Sequence, residues 1–119
     1  MNLPEIIGVF FKFQHSVKLF HWMTTSYPKH IASDKLLTNL LDLIDKFVEI
    51  YIGKYGRINV SFKLEIKTLN DTDIISELEK MRMYLTDKLP ISNKDTDLLN
   101  IRDEMIGEIN QTLYLMSLN

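Results

Sequence analysis

The sequence predicts an all-α fold, an antiparallel four-helix bundle with one long extended crossover between its second and third helices. Three observations lead there. Apolar residues recur at steps of three and four through four separate stretches. Capping residues, glycine or proline bound those stretches. The connections after the first and third stretches are short and the middle one is long, so the first and last pairs form antiparallel hairpins and the third helix runs parallel to the second.

In the first helix, Asn2 is placed to cap and Pro4 falls early in the first turn, where a missing N–H costs little. Ile6, Phe10, Phe13, Val17 and Phe20 form its apolar stripe, which Ile7, Phe11 and Leu19 widen. Pro28 disfavours the α region for the residue before it, so this helix should fade between Thr24 and Tyr27. The second helix is expected to begin at Pro28 or shortly after and to run to Tyr55, with Gly56 as a left-handed stop and Lys54 near the negative end of the dipole. Its core face is read as Leu37, Leu40, Leu41, Ile44, Phe47, Val48, Tyr51, Ile52 and Tyr55.

Residues 57–67 alternate, with Ile58, Val60, Phe62, Leu64 and Ile66 against polar neighbours, which is strand periodicity. A lone strand leaves its edges unpaired, so the segment is read as an extended crossover lying on the bundle or pairing with its copy in another subunit. Asn70 or Asp71 can cap the third helix, whose core positions are Ile74, Ile75, Leu78, Met81, Leu85 and Leu89 before Pro90. Ser92 and Asp95 give a weaker capping signal for the fourth, with Leu98, Ile101, Met105, Ile109, Leu113 and Met116 inward.

A chain of 119 residues with 45% hydrophobic content suits one domain over 1–119 around one core. Its 14 basic and 16 acidic residues leave a net charge of −2, so no overall field draws it to nucleic acid or to anionic membrane. The absence of cysteine removes disulfides, thiolate nucleophiles and sulfur-ligated metal, and fits a cytoplasmic or other intracellular reducing compartment. Near the N-terminus, Glu5, Lys12, His15 and Lys18 interrupt the apolar run, so it reads as neither signal peptide nor membrane span.

Five potential ligands remain: His21, His30, Asp34, Asp45 and Glu49. On the second helix, His30, Asp34, Asp45 and Glu49 lie within about 100° of one another around the axis. A solvated face explains that pattern as well as a metal site does, and His21 can equally be a satisfied core histidine. Asp34 and Asp45 are separated by about 16 Å of helix, too far for one chain to bring both to one ion. Two copies crossing antiparallel about a twofold near Asn39 and Leu40 would bring the His30/Asp34 end of one to the Asp45/Glu49 end of the other. Carboxylates with imidazole and no sulfur suit iron, with manganese or zinc as alternatives.

The pattern His21-Trp22, His30, Asp34, Asp45, Glu49 resembles the ferroxidase centre of the Dps-like mini-ferritins, within the ferritin-like superfamily. The motif-bearing resemblance covers about residues 10–56. It implies that His21, His30 and Asp34 of one subunit face Asp45 and Glu49 of its twofold mate. Asp34, Asp45 and Glu49 would then do the catalytic holding, in a homodimer formed through the second helix and extendable to a higher homo-oligomer. The implied activity is oxidation of Fe²⁺ with peroxide or dioxygen.

The interval between the histidines is shorter than the family's, and 57–67 stands where the family usually carries a short helix. No Glu-x-x-His pair is present, so the di-iron site of larger ferritins is not expected. The alternative expectation is a ferritin-like structural or interaction protein, a homodimer without turnover and with no cofactor. Neither reading calls for a membrane or for nucleic acid.

Overall fold

Four α-helices account for most of residues 2–118, the part of the chain that the computed structural model describes. They are α1 (Leu3–Met23), α2 (Tyr27–Tyr55), α3 (Asp71–Met83) and α4 (Thr96–Met116), and no strand occurs among the described residues. The fold is a helical bundle. None of these helices is long and apolar enough to cross a membrane.

Local chemistry sets most of the helix ends. α2 starts one residue earlier than Pro28 because Ser26 caps it, its Oγ accepting from the Lys29 N–H, which leaves Tyr27 and Pro28 in the first turn. Its far end stops at Gly56, whose φ of 90° and ψ of 171° suit a residue without a side chain. Asn70 caps α3 by accepting from the Thr72 and Asp73 N–H groups. Asn2 does sit at the start of α1, but its side chain makes no capping bond.

The third helix differs from its sequence reading. α3 ends at Met83 and a single π-helical turn, Tyr84–Lys88, carries the chain on towards Pro90. That turn buries Leu85 while Tyr84 donates its hydroxyl to Glu5 Oε2 on α1, at 3.2 Å.

The core draws on every helix. Phe10, Phe20 and Phe47 are fully buried, each contributing about 1.5–3 kcal/mol by leaving water, and Phe10 meets Phe47 edge to face at 5.5 Å. Ile74, Leu78, Leu98 and Met105 close the core from α3 and α4. α1 meets α2 again where His21 stacks on His30, α2 meets α4 where Asn39 Nδ2 donates to Glu108 Oε2, and Lys29 at the start of α2 pairs with Asp71 at the start of α3.

Two positions assigned to the core of α2 face outward: Leu41 is 41% exposed and Tyr55 is also exposed. Leu36, which the periodicity omitted, is fully buried in their place. The cause is packing direction, since α2 buries the arc facing α1 and α4 and leaves the arc through Leu41 open. The alternating segment 57–67 forms no strand because nothing lies alongside to pair with it. It crosses without regular secondary structure, with Ile58, Phe62 and Leu64 exposed and Phe62 resting against Phe11 of α1 at 5.8 Å. Leu69 is the point where the crossover reaches the core.

Candidate metal centre

The turn between α1 and α2 folds His21 and His30 onto each other. Their rings stack with centroids 4.0 Å apart and planes 15° from parallel. Each Nδ1 meets the main-chain carbonyl of the other: His21 Nδ1 donates to His30 O at 2.8 Å, and His30 Nδ1 donates to His21 O at 2.9 Å. A carbonyl can only accept, so both Nδ1 atoms carry their protons, and in the neutral rings both Nε2 atoms hold a free lone pair. This is the arrangement by which proteins orient metal-ligating imidazoles, with the other ring N–H fixed on a backbone carbonyl.

Ser33 completes the lock from one turn further along α2. Fully buried, its Oγ donates to His30 O at 3.0 Å and lies 3.2 Å from His21 Nδ1. The sequence reading passed over it. The available signal was a small hydroxyl one helical turn after His30, beside leucines that belong to the core.

His21 itself is only 7% exposed, and its Nε2 points towards Asp34 Oδ1 at 3.9 Å. His21, His30 and Asp34 therefore gather at one end of the bundle. Asp45 and Glu49 do not join them: they lie exposed further along α2. Among the described residues, no three His, Asp or Glu side chains of one chain converge closely enough to hold an ion. The donor types are ones a metal takes, but within one chain the described residues do not assemble a metal site.

Trp22 stays outside this lock, 66% exposed with Lys18 Nζ 5.4 Å over its ring. Tyr27, 73% exposed, lies beside His30. His15 is exposed against Phe11, and Glu108 is tied to Asn39, so neither belongs to the centre.

The opposite end of α2 holds a second polar cluster. Asp95, buried just before α4, accepts from the Tyr55 hydroxyl at 2.6 Å, Lys54 Nζ at 2.6 Å and the Ser92 N–H at 3.0 Å. Lys54 also reaches Asp97 at 2.9 Å. The hydrogen bond from Lys54, then that from Tyr55, holds the Asp95 carboxyl below the usual carboxylate range. The same bonds, Asp95 first and Asp97 second, raise the Lys54 ammonium above its ordinary value. Both carboxylate oxygens of Asp95 are hydrogen-bonded inside the chain, so this cluster fastens α2 to the start of α4.

The family described as "Family of unknown function (DUF5856)" matches residues 21–116. The chain belongs to this family. Its matched stretch begins at His21 and takes in His30, Asp34, Asp45 and Glu49 together with all of α2, α3 and α4. Among curated proteins, the "Uncharacterized 14.6 kDa protein in mobD-ri intergenic region" of Enterobacteria phage T4 is 32% identical over 119 residues, covering 96% of this chain and 87% of that relative. No solved structure matches the chain.

Proposed function

We propose that this member of the family is a mini-ferritin-like protein that binds Fe²⁺ at sites shared by two copies and oxidises it with peroxide or dioxygen. The observation that carries the reading is the reciprocal histidine lock, because it fixes both Nδ1 atoms on backbone carbonyls and leaves His21 Nε2 3.9 Å from Asp34. The antiparallel, ferritin-like order of the bundle belongs to the same proposal. It is supported by Phe10 with Phe47 and His21 with His30 between α1 and α2, by Asn39 with Glu108 and Lys54 with Asp95 between α2 and α4, and by Lys29 with Asp71.

In the homodimer, Asp45 and Glu49 of the second copy come opposite Asp34 and His30 of the first. The carboxylates hold the Fe²⁺ substrate, and His21 and His30 bind through Nε2 with their protons kept on Nδ1. Two Fe²⁺ ions each give up one electron, and a peroxide that takes both and two protons leaves as two waters. The chain's part is to position the ions and to orient the imidazoles.

A second reading, a ferritin-like homodimer without turnover, is favoured by the exposed Trp22, Met23, Tyr27 and Ile31 around the lock, which suit a contact surface as well as a site rim. Anaerobic Fe²⁺ titration followed by peroxide, on wild type and Asp45→Ala, separates the two. About two ions per shared site and rapid oxidation that disappears in the variant are expected. Oxidation no faster than in buffer would move the protein to the second reading.

A further inference from the structure

We infer that a cavity at the Tyr55 end of α2 binds a small, neutral, polyhydroxylated ring, the chemistry of a hexose. It lies at the other end of α2 from the proposed metal centre, and its ligand is independent of that reading.

A tyrosine hydroxyl gives the first indication. Tyr51 belongs to the core face of α2 and is 5% exposed, a position where phenylalanine would bury the same ring. Tyr55 donates its hydroxyl to both oxygens of Asp95, but the Tyr51 hydroxyl has no hydrogen-bonding partner among the described residues. No side-chain nitrogen or oxygen sealed from solvent lacks a partner among those residues, so the Tyr51 hydroxyl reaches open space. That space is a cavity of about 360 Å³ where the start of α1, the end of α2 and the segment before α4 meet, and Tyr51 lines it. A largely buried hydroxyl with no partner in the chain calls for one from outside.

The other polar groups of the wall set the charge of the ligand. Asp95 brings a carboxylate, but Lys54 Nζ at 2.6 Å already balances it, and Tyr55 and the Ser92 N–H engage both of its oxygens. A cation finds that charge spent, and an anion would lose its water beside a carboxylate, so a neutral ligand suits the wall. The uncommitted groups are neutral as well. They are the Tyr51 hydroxyl, the Asn2 side chain, which makes no capping bond, and the Ser92 hydroxyl, which accepts from the Lys94 N–H at 3.1 Å without donating in turn. Each can both donate and accept, as the hydroxyls of a sugar do.

Pro90, Ile91 and the Tyr55 ring give the wall its apolar part, which suits the C–H face of a sugar ring. The Tyr51 and Tyr55 rings are tilted by 49° with centroids 4.8 Å apart, so they make a corner and leave no parallel slot for a flat nucleobase. The volume lies near the small end of the range for ligand sites, about 300–1,000 Å³, and so admits a single ring better than a dinucleotide cofactor. The bonds of Lys54 and Tyr55 to Asp95 hold this wall in place before any ligand arrives.

Backbone-amide NMR on the full chain, titrated with glucose, galactose and mannose, tests the site. At least one of these hexoses should shift the amides of Asn2, Tyr51, Ile91, Ser92 and Asp95, with a dissociation constant on the order of 1 mM for a ligand of this size. Tyr51→Phe keeps the ring and breaks no bond within the chain. Its urea midpoint should match wild type while hexose affinity falls about five- to tenfold, the share of one hydrogen bond. Amides unmoved by any of the three at about 50 mM, binding that Tyr51→Phe does not weaken, or the same shifts produced by adenosine in place of a hexose overturn the inference. So does a Tyr51→Phe midpoint well below wild type, which would give the hydroxyl a partner inside the chain.

Discussion

The two ends of α2 carry polar clusters of similar size that spend their hydrogen-bonding capacity differently. At the Tyr55 end, Asp95, Lys54, Tyr55, Asp97 and the Ser92 N–H satisfy one another within the chain. At the His30 end, the internal hydrogen bonds use the Nδ1 side of each ring, His21 Nε2 lies 3.9 Å from Asp34, and Asp45 and Glu49 are exposed. A cluster that closes on itself is a fastening. One that leaves a ring nitrogen beside a carboxylate is the place where the proposed site would be built.

Breaking the fastening should give the largest effect on stability. Asp95→Ala removes the acceptor for three donors at a buried corner and should cost about 2–3 kcal/mol in urea unfolding. Fe²⁺ binding at the far end of α2 should survive in the fraction that stays folded. Loss of binding with full retention of stability would reverse the roles assigned to the two ends.

Loosening the site should cost affinity instead. Ser33→Ala leaves both histidines in place but removes the hydroxyl that bridges His30 O and His21 Nδ1. Under the proposed function, metal affinity measured by calorimetry should fall about tenfold, the lower end for an outer-shell partner of a ligating histidine. The urea midpoint should move less than it does in Asp95→Ala.

The pH dependence sharpens the comparison from the acid side. The native Asp95 pKa lies below its unfolded value, near 3.9. Its stabilisation is therefore complete above that value and drains away as pH falls through the lower native one. Lys54 works in the other direction: with a native pKa raised above about 10.4, its share is complete below that value and fades only as pH climbs through the raised one. Urea midpoints should hold level on this account between about pH 4 and 10 and drop below it, and Asp95→Ala should flatten the acid limb.

The smallest effect is expected at Asp42, an acidic neighbour on α2 that lies outside both clusters. Asp42→Asn should leave stability within about 0.5 kcal/mol and metal affinity unchanged. A loss of metal binding comparable to that of Asp45→Ala would mean that the carboxylates act as a diffuse acidic face.

Much of this architecture was legible in local chemistry. Pro28, Gly56 and Asn70 mark where helices start and stop because their effects act on the nearest backbone bonds, and the stripes Ile6–Phe10–Phe13–Val17 and Leu40–Ile44–Phe47–Tyr51 report buried faces because a helix repeats every 3.6 residues. The same logic failed for Leu41 and Tyr55, which fit the period but lie at the edges of the buried arc. The alternation of 57–67 produces no strand, as expected of a crossover with no neighbouring strand to pair with. The π turn after Met83 left no signal in the spacing, since it depends on how Leu85 and Tyr84 meet the rest of the bundle.

By itself the sequence determined that the chain is helical, roughly where most of its helices begin and end, and which residue types could bind a metal, because propensity, capping and period are properties of neighbours along the chain. Only the tertiary structure decided that His21 and His30 hold each other's carbonyls, that Ser33 lies beneath them, that Asp95 is fully engaged, and that Asp45 and Glu49 stay apart from the histidines of their own chain. Those facts depend on the direction of ring nitrogens and on distances across the bundle, and spacing along one helix specifies neither.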